Sequence, residues 1–81
     1  MKYFTYILYS KALDRYYIGS TGDIDIRLKE HLWDHTGFTG KAKDWFVVHT
    51  EEYDSKVDAY ARERQIKKWK SRIMIEKLIG N

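Results

Sequence analysis

Cysteine is absent from the 81 residues, which excludes disulfides and thiolate metal sites. The fold must therefore stand on packing alone. No apolar run approaches the ~20 residues of a membrane span. The apolar N-terminus, Met1 to Ser10, lacks a small-residue cleavage site and does not read as a signal peptide. A cytoplasmic protein with no membrane partner is the expectation. No internal repeat, linker or low-complexity tract interrupts the chain. Its length suits a single domain over residues 1–81 and leaves no room for a second.

What is present is aromatic and basic. Seven Tyr and three Trp contribute to an aromatic content of 16%, which supplies much buried area per residue to a small core. The net charge is +3, unevenly placed. Residues 1–53 carry seven Lys or Arg and eight Asp or Glu, a net of −1, and residues 54–81 carry eight and four, a net of +4. The densest part is Lys67 to Arg72, a basic cluster around Trp69. Such a cluster suits a polyanion, and equally a solvated helix face.

Local patterns predict the order strand, strand, helix, strand, helix, helix. Tyr3 to Tyr9 is rich in β-formers, and Tyr16 to Gly19 reads as a second strand joined to it by a short polar link, hence an antiparallel hairpin. Asp23 can cap a helix whose Ile24, Leu28 and Leu32 repeat at helical spacing, running to about Asp34. Residues 35–44 read as a loop, and Trp45 to Tyr53 is the strongest strand signal. Ser55 with Asp58 resembles a capping box for a helix from Lys56 to about Lys68. A last helix, Ser71 to Ile79, stops at Gly80. The fold class is α+β, a three-stranded antiparallel sheet flanked by helices.

Some side chains sit oddly on these elements. Measured at 100° per residue from Ile24, Arg27 and His31 lie at about 300° and 340°, beside the apolar stripe of Leu28 and Leu32 at about 40° and 80°. They mark either a site or a snorkelling edge. Glu63 shares a helix face with Ala59 and Ile66, where a carboxylate needs a partner, a metal or an elevated pKa. The alternative is an exposed pair with Lys67 four residues on. Tyr6 and Tyr17 lie on the two hairpin strands. They are core residues with a wet edge or, with positive charge near enough to lower their pKa, acid–base groups.

These residues carry a resemblance. Tyr17-Ile18-Gly19 is an intact YIG element, and Thr5-Tyr6-Ile7 stands where GIY is expected, keeping the tyrosine. The tyrosines are eleven residues apart, Arg27 follows Gly19 by eight, and Arg27 with His31 keeps an R-x-x-x-H spacing. Trp45 opens the third strand, with Asp44 where proline is common. Ala59 and Glu63 match an A-x-x-x-E element, and the stretch from Ile66 to Arg72 followed by Glu76 to Ile79 resembles a C-terminal helix. The chain resembles the GIY-YIG nuclease superfamily, in particular the small stand-alone bacterial proteins of the excision-nuclease C-like type.

The resemblance implies metal-dependent hydrolysis of DNA phosphodiester bonds with low sequence specificity, in DNA repair or recombination. Glu63 would hold one divalent ion, Mg²⁺ or Mn²⁺, and no small-molecule cofactor is implied. Arg27 would bind the phosphate. Tyr6 would activate the nucleophile, Tyr17 would orient it, and His31 would tune or deprotonate the tyrosine. Gly19 would let the backbone turn closely beneath a phosphate. The asparagine that many relatives use late in the chain has no counterpart except Asn81. With no appended DNA-binding domain, Lys41, Lys43, Lys67, Lys68, Lys70 and Arg72 would hold the DNA, branched or single-stranded, and a protein partner could supply targeting. The competing expectations are a nucleic-acid-binding accessory module that cuts poorly or not at all, and a protein-interaction domain using its exposed aromatics.

Overall fold

A computed structural model describes residues 2–33 and 44–80, with residues 29–33 given by their backbone alone. Three strands form one antiparallel sheet in the order β2-β1-β3: β1 (Tyr3–Ser10), β2 (Arg15–Thr21) and β3 (Phe46–Tyr53). Three helices complete it: α1 (Ile24–Trp33), α2 (Lys56–Trp69) and α3 (Arg72–Ile79). This is the predicted α+β arrangement.

The sheet is covered on both faces, and β1 lies at its centre. That explains why β1 alternates so weakly in sequence: a strand buried on two sides has no polar row to show. On one face Tyr6, Leu8 and Trp45 are buried, with Tyr17, Val47 and the α1 residues Ile24 and Leu28 packed on them. On the other, Ile7 and Ile18 meet Ile66 of α2 and Ile75 of α3, with Tyr16, Val48 and Trp69 at the margin. The strongest strand signal in the sequence, by contrast, belongs to an edge. In β3 the register slips opposite Ile7 and Leu8, which pair with His49 and Val47, so Val48 is the extra residue of a bulge.

Side chains set most boundaries. The Asp23 carboxylate accepts from the Ile26 N–H at 3.0 Å and opens α1. Ser55 accepts from the Asp58 N–H at 3.1 Å, and Ser71 from the Met74 N–H at 3.3 Å, opening α2 and α3. Between those helices Lys70 takes a left-handed conformation, φ 49°, and Gly80 closes α3 at φ 105° with its N–H on the Lys77 carbonyl at 3.2 Å. One boundary differs from expectation by more than a residue: β2 runs on through Gly19 to Thr21.

Candidate active site

Gly19 explains why that strand does not stop. It lies opposite Tyr6 across the hairpin and takes no positive φ. A Cβ at position 19 would sit 2.6 Å from Cζ of Tyr6 and 3.1 Å from its Cε1. The glycine is a seat for the Tyr6 ring, which lies over β2. This corrects the expectation of a close turn beneath a phosphate: Gly19 is buried, extended, and covered by the phenol.

Two charged groups bear on the Tyr6 phenol. The Arg27 guanidinium, from α1, donates a hydrogen bond to it, and the Glu63 carboxylate, from α2, is near enough to be felt. Burial pushes the phenol up to about 12, and Arg27 only partly opposes this. The sequence-based expectation of a lowered tyrosine pKa is thus reversed at Tyr6, because desolvation outweighs one guanidinium. Tyr17 lies on the same face, its ring centroid 6.5 Å from that of Tyr6 and 6.5 Å from that of Trp45, to which it stands edge-on. Tyr16, of opposite alternation, packs on the other face.

Glu63 is buried at 9% exposure and fully engaged. Ser20 donates to its Oε1 at 2.7 Å, and the Lys67 Nζ stands 2.6 Å from its Oε2. The two sequence readings of Glu63 are therefore combined: it is a buried carboxylate, and it pairs with Lys67. Ser20 was not singled out in the sequence, because its role depends on where α2 crosses β2, 43 residues later. Among the described residues no three His, Asp or Glu side chains converge as metal ligands. A cation would be held by Glu63 with water and substrate oxygens, a donor set that fits a hard divalent ion. The half-exposed Lys67 ammonium already shows a positive charge accommodated at Oε2.

The other expected residues divide. His31 lies on α1 one turn beyond Arg27, and its side chain is outside the described residues, as are Lys41, Lys43 and Asn81 altogether. Lys68 and Lys70 are exposed near the end of α2. Arg72 is bound within the protein. It donates to Asp14 Oδ1 at 2.6 Å and to the Asp14 carbonyl at 3.2 Å, and lies 5.4 Å over the Tyr16 ring. It fastens α3 to the hairpin turn, so Arg72, expected as a DNA contact, is also a structural tie.

Comparison with known proteins agrees with this fold. The model of the GIY-YIG catalytic domain matches residues 2–77. The solution NMR structure of a UPF0213 protein from Bacillus halodurans is similar, with a TM-score of 0.59 and 31% identity, over 98% of this chain and 83% of that one. No curated protein gives a significant match. The strand and helix order and the match along nearly the whole chain lead to one assignment: the chain belongs to the GIY-YIG family of nucleases.

Proposed function

We propose that this protein is an endonuclease that hydrolyses DNA phosphodiester bonds in a metal-dependent reaction with little sequence preference. The observation that supports it most is the Tyr6 phenol seated over Gly19, hydrogen-bonded by Arg27 of α1, with the buried Glu63 of α2 near enough to bear on it electrostatically. A core needs no guanidinium and no carboxylate at that point, whereas phosphoryl transfer uses a charge clamp, a hard-ion ligand and a proton-transfer group.

Glu63 would hold Mg²⁺ or Mn²⁺, which when bound supplies charge stabilisation at the phosphate. Lys67, now on Oε2, would have to release that oxygen for the ion, while Ser20 would keep Oε1 oriented. Arg27 binds a phosphate oxygen and the charge that develops on it. Tyr6, with Tyr17 orienting, would take a proton from the attacking water after its own phenol proton has passed to solvent or to His31, which lies one turn from Arg27 on α1. Because burial pushes the Tyr6 phenol up to about 12, it rests protonated, and Arg27 is the group that favours its ionisation.

The test is cleavage of labelled single-stranded, duplex, flapped and branched DNA with Mg²⁺, Mn²⁺ or EDTA. Glu63→Ala and Arg27→Ala should each lower the rate by about 100-fold or more, the scale of losing one transition-state charge contact. A second reading, an accessory module that binds without cutting, is favoured by the protonated Tyr6 and by Lys67 standing on Glu63. Binding without metal-dependent cutting on every substrate would decide for it.

A further inference from the structure

A pocket of about 290 Å³ opens where the edge of β2 meets the junction of α2 and α3. Lys67 links it to the candidate active site: it lines the pocket and its ammonium stands on Glu63. The floor is apolar, made by Ile18, Ile66 and Ile75. One wall is flat and cationic: Tyr16 with the Arg72 guanidinium over it, fixed there by Asp14. The rim adds Arg15 and Lys70, both exposed. Asp14 is the acidic residue of the lining, and Arg72 already neutralises it.

We propose that this pocket receives one unpaired nucleotide of the strand being cut. The base would pack on the isoleucine floor and the Arg72 plane, and its phosphate would lie between Arg15 and Lys70. The nucleic acid as ligand rests on the nuclease reading; the unpaired base follows from the pocket. A volume of about 290 Å³, near the lower end of ligand sites, has room for a single planar base. Apolar and guanidinium surfaces take up bases through their faces, which a stacked duplex does not offer. A site for phosphate alone would need the rim and no isoleucine floor. The Asp14 clamp also removes the freedom Arg72 would otherwise lose on binding.

The experiment is fluorescence anisotropy in EDTA, so that binding is read without cutting, on a short single strand and on the same sequence as a blunt duplex. Each nucleotide of the single strand is then replaced in turn by an abasic spacer. The single strand should bind several-fold tighter than the duplex, and one or two abasic positions should weaken it by about tenfold, the scale of one stacked base. Arg72→Lys keeps the charge and loses the plane, so it should flatten the abasic profile, provided its circular dichroism and melting show an intact fold. The double variant Arg15→Ala/Lys70→Ala should weaken every oligonucleotide and leave the profile's shape. Equal affinity for single strand and duplex, with a flat profile in the unsubstituted protein, would overturn the proposal even if cleavage proceeds. A peaked profile without cleavage supports the pocket and counts against the nuclease.

Discussion

At the scale of the residue, Gly19 is the most constrained position, and the constraint is a neighbour rather than a dihedral angle. Alanine there would put a methyl carbon 2.6 Å from Cζ of Tyr6, so the ring must move off the strand. Overpacking of this kind costs about 1–3 kcal/mol. Gly19→Ala should therefore lower the unfolding free energy by that amount in a denaturant titration, and should also change the Tyr6–Arg27 contact. Adding Tyr6→Leu should return part of the lost stability but none of the activity. If Gly19→Ala is as stable as the parent, the ring is not held where it is described. Strand and helix periods place the two tyrosines, Arg27 and Glu63 on faces of their elements, and the resemblance to the family is what gathers them into one candidate site. The sequence does not show what Gly19 admits. The pairing of Tyr6 with Gly19 depends on hairpin register, and the meeting of Ser20 with Glu63 depends on how α2 lies across the sheet.

Elements are held together by polar ties as well as by the core. Glu51 of β3 is the clearest case. It accepts from Arg62 Nε at 2.9 Å and from the Tyr53 hydroxyl at 2.6 Å, and lies 2.9 Å from His49 Nε2. Burial pushes this carboxyl up, but the bonds from Arg62, Tyr53 and His49 outweigh it and hold it at about 2. A carboxyl lowered in the folded state gives stability that is present above its ordinary value of 4.5 and is lost as the pH falls through about 2. Glu51→Gln should be less stable than the parent at neutral pH, and the gap should close between about pH 4.5 and 2 in melting curves. A gap that stays constant across that window would show that the pair with Arg62 contributes nothing. Helix and strand positions were legible because the caps at Asp23, Ser55 and Ser71 sit beside strong periodic segments. The end of β2 and the central place of β1 were not. Glycine ordinarily marks a break in a strand, and two-sided burial erases alternation.

For the whole molecule the question is how a net charge of only +3 holds a polyanion. The basic last third forms α2 and α3, which lie together on one face of the sheet, so the charge is concentrated although the total is small. Not all of it is available. Lys67 is committed to Glu63, Arg72 to Asp14 and Arg62 to Glu51. Lys68, Lys70 and Arg15 are exposed and can meet phosphates. Each phosphate contact to a single strand adds about 0.7 to the fall of log K with log salt concentration. Three such contacts give a slope of about −2 between 50 mM and 200 mM salt. Lys68→Ala and Lys70→Ala should each make the slope shallower by about 0.7 with melting temperature unchanged, whereas Arg72→Ala should lower the melting temperature. A steeper slope in the unsubstituted protein would bring in Lys41 and Lys43 as further contacts. A flat one would remove nucleic-acid binding from this face, and with it the reason for gathering the chain's positive charge on α2 and α3.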